Sequence, residues 1–397
     1  MIELNQALEQ LLAKAVAVAQ TETVATLDGL GRVLAQPIVS SLAVPPLDNS
    51  EMDGYAVRCA DLSSIPATLP VAQRIQAGQI GQALAPGTAA RIFTGAPIPA
   101  GCDAIVMQEA ARVQDDRVTV LETPVAGQWI RRAGLDIAPG AQVLAAGARL
   151  RPPEMGLAAS VGLAKIQVFR RLRVGVLFTG DELAMPGEPL PVGRIYNSNR
   201  FMLRALLQAI GCEVIDLGIV PDRAELTRQA IVHAAAQADL VVSSGGVSVG
   251  EADFVRAAVQ SEGAIDLWQI AIKPGKPFAF GHVRGIPFIG LPGNPVSSLV
   301  TFAVLARPFI LKLQGVAERR LRPISMRAEF EVSRPGPRRE FLRVRVNDQG
   351  ALEAFPVQNA AVLTSAAWAD GLADIAVGAR VARGSEVPYW PFSELFA

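Results

Sequence analysis

Six short segments concentrate the residue types that bind anions and metal ions. Thr179-Gly180-Asp181-Glu182 puts two acids directly after an apolar run, at what reads as the carboxyl end of a strand. Paired acids there suit Mg2+, which takes few carboxylates and completes its shell with water and phosphate oxygens. Ser243-Ser244-Gly245-Gly246-Val247-Ser248-Val249-Gly250-Glu251-Ala252-Asp253 carries three glycines between a strand and a helix. Glycine lets the backbone approach a ligand closely, and helix N-terminal amides favour an anion. The hydroxyls of Ser243, Ser244 and Ser248 would add donors. The spacing is neither GxGxxG nor GxxxxGK[ST], so a dinucleotide dehydrogenase or a Walker-type ATPase is not supported. Lys273-Pro274-Gly275-Lys276-Pro277 holds two lysines on a stiff Pro/Gly frame, which can aim both ammonium groups at one oxyanion. Leu291-Pro292-Gly293-Asn294-Pro295 reads as a helix start, with Pro295 in the first turn. Asp48-Asn49-Ser50-Glu51-Met52-Asp53-Gly54-Tyr55-Ala56 and Phe93-Thr94-Gly95-Ala96-Pro97 mix carboxylate, hydroxyl and glycine in tight turns. Taken singly, each segment also reads as ordinary turn chemistry. Four of them gathered at one sheet edge are harder to dismiss.

The elements that must position these segments follow from periodicity. From Arg173 onward strands and helices alternate. Strands are predicted at Arg173–Thr179, Glu213–Val220 and Leu240–Ser243, then in apolar runs at 267–272, 277–281 and 287–291. Between them lie helices from Ser198, a candidate cap, to Ile210, from Asp222, another candidate cap, to Gln237, and over 254–261 and 296–314. This alternation predicts an open, mostly parallel sheet with helices on both faces, binding its ligand beyond the carboxyl ends of the strands. Residues 3–20 read as an amphipathic helix and 152–161 as a second helix. Residues 40–148 and the stretch after Arg322 read as short strands punctuated by Pro, Gly and Asp, hence two small β units.

Composition narrows the classes. A chain of 397 residues, half of them apolar, has material for two to three packed domains or more. Lys+Arg equals Asp+Glu at 37 each, which gives no support to nucleic-acid or membrane-surface binding. Three dispersed cysteines and two histidines exclude a disulfide scaffold and a multi-histidine metal centre. The longest apolar stretch, 296–306, reads as too short to span a bilayer. The opening MIELNQALEQ lacks the basic-then-apolar pattern of a signal peptide, and the expected location is the cytoplasm.

Together and in order, the six segments resemble the molybdopterin molybdenumtransferase family (the MoeA family, related to the E domain of gephyrin), over nearly the whole chain. The sheet loops alone would also fit molybdopterin adenylyltransferase or CinA-like proteins, but the additional β regions discriminate against both. The resemblance implies an α/β plus β multidomain fold. A discontinuous elongated domain would span 1–44 and 141–171, and a β-rich domain facing a partner subunit 45–140. A molybdopterin-binding α/β domain would span 172–321 and a C-terminal β domain 322–397.

The resemblance further implies a homodimer whose cleft is shared between subunits, and a reaction that inserts molybdate into adenylylated molybdopterin and releases AMP. Glu182, Asp222 and Asp253, with Asp53 and Asp136 from the facing subunit, match the family's functional acids. Glu182 and Asp253 would hold Mg2+, and Thr94 would reach in from the partner. Lys273 and Lys276 match the oxyanion-binding lysines. Gly245, Gly246, Ser248 and Gly250 would cradle the substrate's phosphate, Pro292 and Pro295 would shape the pterin pocket, and Gly180, Asp181, Ser243, Gly293 and Asn294 would also bind substrate. Arg343 fits an arginine that the family's C-terminal domain contributes. A serine often found after Gln358 is missing here, where the chain reads Asn359-Ala360-Ala361 and the nearest hydroxyls are Thr364 and Ser365. A molybdopterin adenylyltransferase and molybdoenzyme apoproteins would be the neighbours in hand-off. Adenylyltransferase-like chemistry and a gephyrin-like non-catalytic scaffold are the competing readings.

Overall fold

The structure, a computed structural model, describes residues 1–246, 254–317 and 321–396. Its centre is a six-stranded sheet in the order Glu213–Val220, Arg173–Thr179, Leu240–Ser244, Ile286–Leu291, Pro277–Val283, Gly263–Gln269. The first four strands are parallel, and the last two are each added by antiparallel pairing. Alternation along a strand sends successive side chains to opposite faces. Val174, Val176 and Phe178 therefore meet Leu203, Leu206 and Leu207 of the helix Ser198–Ala209 on one face. On the other, Leu177 meets Ile231 and Ala234 of the helix Ala224–Gln237 and Val255 and Val259 of the helix Phe254–Glu262. The parallel strands end at Thr179, Val220, Ser244 and Leu291, so the loops that follow them emerge along one edge.

The helix after Leu291 runs α over Pro295–Thr301, π over Phe302–Ala306 and α again over Arg307–Leu313. Pro308 explains the wide turn. Its nitrogen carries no hydrogen for the carbonyl one turn back, and its ring crowds that carbonyl, so the helix locally loosens. At 19 residues this helix is long and apolar enough to cross a bilayer, which corrects the expectation drawn from the sequence. Its apolarity serves the protein core instead, since 78 % of the helix is buried.

Two further sheets flank this unit. One orders the strands Ala104–Met107, Gly54–Val57, Ala89–Ile92, Ala67–Ile75, Arg117–Val120 and Ala111–Gln114. The other orders Ile272–Lys273, Arg339–Val346, Gly371–Ile375, Glu386–Pro391 and Ile324–Arg327, with Leu352–Ala354 beside the second. Ile272–Lys273 comes from the central stretch of the chain yet pairs in parallel with Arg339–Glu340. Phe341, Leu372 and Leu395 also enter the central core, so the C-terminal unit is fused to the α/β unit rather than tethered. A smaller core joins Leu34 and Ile38 to Ile137, Leu150, Ala158, Ile166 and Val168, under the strand pair Thr21–Ala25 and Lys165–Phe169.

Several boundaries differ from the sequence reading. The first helix is Leu4–Ala13, shorter than 3–20. Its Leu4, Ala7 and Leu11 pack in the core of the α/β unit, beside Trp268 and Phe280, and not in the discontinuous unit to which residues 1–44 were assigned. Asn197, not Ser198, caps its helix by accepting from the Arg200 amide. Asp222 caps nothing, because the helix begins at Ala224 and Asp222 has another partner.

Leu11 is fully buried. Leu11→Ala should cost about 2–5 kcal/mol, the usual range for emptying a packed leucine site. Denaturant unfolding followed by Trp268 fluorescence checks this, because the helix packs beside that indole.

Candidate active site

The loops past the parallel strands lie side by side. At Gly180 the carboxylate of Glu182 folds back so closely that a Cβ would sit 2.6 Å from its oxygen. Asp181 and Asp222 exchange backbone donors. The Asp181 amide reaches Asp222 Oδ2 at 3.3 Å, and the Asp222 amide reaches Asp181 Oδ1 at 3.2 Å. Partial burial pushes the Asp222 carboxyl above its ordinary value, and the negative charges of Asp181 and Glu182 add to the shift. Three acids thus share one strand-end corner, and Asp222 resists ionising first because it is partly buried and then because the other two are negative.

Beside this corner runs the glycine loop. Gly245 and Gly246 adopt φ of +95° and +65°. A Cβ on Gly245 would lie 2.7 Å from the Thr179 carbonyl oxygen, and one on Gly246 would lie 2.5 Å from Val255 Cγ2. Only glycine fits at either position. The Gly245 amide donates to Leu291 O at 3.2 Å, which ties this loop to the Leu291–Pro295 turn. The neighbouring serines do not serve as outward donors, contrary to the sequence reading. Ser243 and Ser244 are buried, and Ser244 Oγ engages Asn199 Nδ2 at 2.9 Å and Pro292 O at 3.3 Å. Ser248, Gly250 and Asp253 lie outside the described residues. Pro292 is buried, Gly293 and Asn294 are exposed, and Pro295 opens the helix.

The lysine loop lines a pocket of about 370 Å3 with Lys273, Lys276, Ser297, Arg338, Gln358 and Asn359 among its walls. Lys273 Nζ pairs with Glu340 Oε1 at 2.7 Å. Arg338 Nη1 donates to Ile272 O at 3.2 Å, which holds its guanidinium at the pocket. Lys276 is exposed and has no ion-pair partner among the described residues. Three cations and one carboxylate leave the wall net positive. Gly275 approaches the helix Pro295–Thr301 so closely that a Cβ would meet Thr301 Oγ1 at 2.4 Å. The acids at 181, 182 and 222 do not line this pocket. The glycine loop and the 292–297 turn lie between the two groups.

Arg343 departs from the sequence reading. It is only 1 % exposed and lines no part of the pocket. Its Nε meets Ser365 Oγ at 3.2 Å, Nη1 donates to Phe341 O at 2.9 Å, and burial lowers its pKa to about 10. Arg338, five residues earlier, brings a guanidinium to the pocket, and Ser297 brings a hydroxyl. Sequence reasoning missed both. Arg338 stands in a run of charged and turn residues, and Ser297 looks like an ordinary helix residue until Lys273 is seen stitched into the second sheet.

The remaining acids sit in other units. Asp53 Oδ1 accepts from both the amide and the hydroxyl of Thr94, each at 2.8 Å, and these two bonds lower its pKa. The two expected residues are therefore together. Arg91, stacked on Tyr55 and Phe93 at 5.1 and 4.9 Å, adds a favourable charge nearby. Asp136 is exposed, and its amide donates to Val44 O in the turn after Leu135. Neither Asp53 nor Asp136 lines the lysine pocket of the same chain.

Comparison with known proteins decides the family. Residues 2–162 match the MoeA N-terminal region (domain I and II), 175–312 the probable molybdopterin binding domain, and 325–392 the MoeA C-terminal region (domain IV). The chain is 46 % identical over 362 residues to the molybdopterin molybdenumtransferase of Haemophilus influenzae, covering 90 % of this chain and 89 % of the other. The chain belongs to the MoeA family of molybdopterin molybdenumtransferases. It is 38 % identical over 381 residues to molybdopterin molybdenumtransferase 2 of Mycobacterium tuberculosis, covering 93 % of this chain and 94 % of the other. Among solved structures, the molybdopterin biosynthesis MoeA protein of Pyrococcus horikosii superposes with a TM-score of 0.80 at 32 % identity, covering 99 % of each chain. The shared MoeA fold accounts for the two β units that a molybdopterin-binding domain alone would lack.

The acidic corner of this MoeA chain fits Mg2+ only as a half-site. Its donors are all hard oxygens, and Asp222's raised pKa marks a place where a cation would relieve repulsion. Among the described residues, however, no group of three or more acid, histidine or cysteine side chains converges closely enough to hold an ion unaided. The rest of the shell would have to come from water and substrate.

Asp222→Asn should raise the unfolding midpoint at neutral pH, because it removes a reluctant anion while keeping an acceptor for the Asp181 amide. The folded state holds the Asp222 proton more tightly than the unfolded chain does, so wild-type stability falls as pH rises above the ordinary carboxylate range. The difference between variant and wild type should therefore vanish below about pH 4. Thermal unfolding across pH measures it.

Proposed function

We propose that this chain is the transferase that inserts molybdate into adenylylated molybdopterin during molybdenum cofactor biosynthesis, with AMP as the leaving product. The observation that carries the reading is the net-positive pocket of Lys273, Lys276 and Arg338, set next to glycine loops at the carboxyl edge of a parallel sheet. Molybdate is a dianion and the substrate's pyrophosphate is anionic, so the two repel. Fixed cations offset that repulsion before the reaction begins, at no cost of reorganisation.

In this reading Lys276 and Arg338 hold molybdate, with Lys273 kept in place by Glu340 and Ser297 donating its hydroxyl. The backbone at Gly245 and Gly246 cradles the phosphate, and the turn from Pro292 to Pro295 flanks the pterin. Asp181, Glu182 and Asp222 are the described residues that would hold Mg2+, which when bound neutralises charge on the phosphoanhydride. Asp53, fixed in its ionised form by Thr94, acts from the second subunit of a homodimer, since its own chain's pocket does not contain it. Asp136 is proposed on the same side, and Asp253 completes the acids. The setting is cytoplasmic, upstream of molybdoenzyme apoproteins.

The test is incubation with adenylylated molybdopterin and Mg2+, with and without molybdate. AMP release that requires molybdate supports the reading. Release without molybdenum insertion points to nucleotide hydrolysis, and no release points to a scaffold. Lys276→Ala should raise the half-saturating molybdate concentration tenfold or more, on the order of one charge-assisted contact, and leave pterin affinity within twofold. Steady-state titration of each substrate separates the two.

The shared cleft makes a prediction of its own. At a molybdate concentration far below the raised half-saturation of Lys276→Ala, Asp53→Ala and Lys276→Ala dimers each show little activity. There the mixed subunits should regain about a quarter of wild-type activity after random exchange, because half the dimers then hold one intact cleft. Activity assays after verified exchange measure this, and no recovery would remove the shared cleft from the account.

A further inference from the structure

Asn199 stands at the junction of the two loops that flank the proposed pterin cradle, and it is 8 % exposed. Its Nδ2 donates to Ser244 Oγ at 2.9 Å and to Gly293 O at 2.7 Å. One amide group thus ties the end of the Leu240–Ser244 strand to the turn after Ile286–Leu291. Ser244 Oγ passes the link on to Pro292 O at 3.3 Å. The joined segments already touch, since a Cβ on Gly293 would lie 3.9 Å from Gly245 Cα. Oδ1 of Asn199 is buried without a hydrogen-bond partner, as is Ser243 Oγ next in line. A buried unpaired acceptor is costly, and a position chosen for stability alone would avoid it.

We infer that Asn199 is a positioning residue for the pterin substrate, fixing the separation of the Ser244–Gly246 and Pro292–Pro295 loops. The side chain suits this task. It is short, so the loops cannot drift apart, and its two N–H donors leave in different directions toward one hydroxyl and one carbonyl. It sits in the first turn of the helix Ser198–Ala209, whose Leu203, Leu206 and Leu207 are anchored in the core, so the clamp is mounted on a rigid element. It touches neither the lysine pocket nor the acidic corner, so its effect should fall on the pterin and not on molybdate. The inference rests on the reading above in taking these loops as the pterin cradle.

The test compares the full-length wild type with Asn199→Ala, Asn199→Asp and Ser244→Ala. Asn199→Asp keeps the shape and removes both donors. Three quantities are read: the dissociation constant for molybdopterin, the half-saturating molybdate concentration and the thermal midpoint. Both Asn199 variants should weaken molybdopterin binding tenfold or more, with kcat at saturating pterin and the molybdate response within twofold of wild type. In the double variant Asn199→Ala/Ser244→Ala the combined loss should be less than the sum of the two single losses, because the residues share the bond from Asn199 Nδ2 to Ser244 Oγ. Should one variant fail to fold, the other two carry the comparison. Variants that bind molybdopterin as wild type does, or that lose both substrates in proportion to lost stability, overturn the inference alone. A wild type that binds no molybdopterin overturns the reading it rests on and the inference with it.

Discussion

The pairing of Ile272–Lys273 with Arg339–Glu340 is the constraint on which the site depends. It is two residues long, yet it threads a loop of the α/β unit into the sheet of the C-terminal unit. Lys273 is thereby held against Glu340 and Arg338 against the Ile272 carbonyl, so cations from two units share one wall. Without that stitch the lysine loop would be a surface turn with two solvated charges. The common core containing Phe341 and Leu372 keeps the two units from rocking apart. A pocket for a dianion needs such rigidity, because cations that must be gathered at each turnover would lose in entropy what they gain in attraction.

The rest of the site divides its charge. The positive wall lies on one side of the glycine loops and the acidic corner on the other, with the Gly245–Gly246 and 292–297 segments between them. The close approaches at Gly245, Gly246 and Gly275 bring three backbone segments within van der Waals contact, which side chains would prevent. The high Asp222 pKa and the orphaned Asn199 acceptor are the local stability costs of that arrangement. Functional sites commonly carry such costs.

Much of this was legible in the sequence. The strands Arg173–Thr179 and Glu213–Val220 were legible to the residue, the first because a buried parallel strand reads as one apolar run. The lysine loop and the strand-end acids stood out because Pro, Gly and charge coincide there. What stayed hidden were contacts made at long sequence separation. Arg338 belongs to the pocket through the stitch at Lys273, and no local pattern encodes a pairing across more than sixty residues, while Ser297 belongs to it because Gly275 packs against its helix. Arg343 misled for the same reason. Its neighbours in sequence are right, but alternation along the Arg339–Val346 strand turns it into the core toward Ser365. The packing of the first helix on the α/β core stayed hidden because amphipathicity reports that a face is buried and says nothing of what buries it.

The central claim is that the wall of Lys273, Lys276 and Arg338 is where the metal oxyanion sits. Anomalous diffraction at the molybdenum edge, from crystals soaked in molybdate, locates the ion directly. The account requires a single strong peak within hydrogen-bond reach of Lys276 and Arg338. A peak at the Asp181–Asp222 corner, or none in the pocket while the protein still turns over, would contradict it.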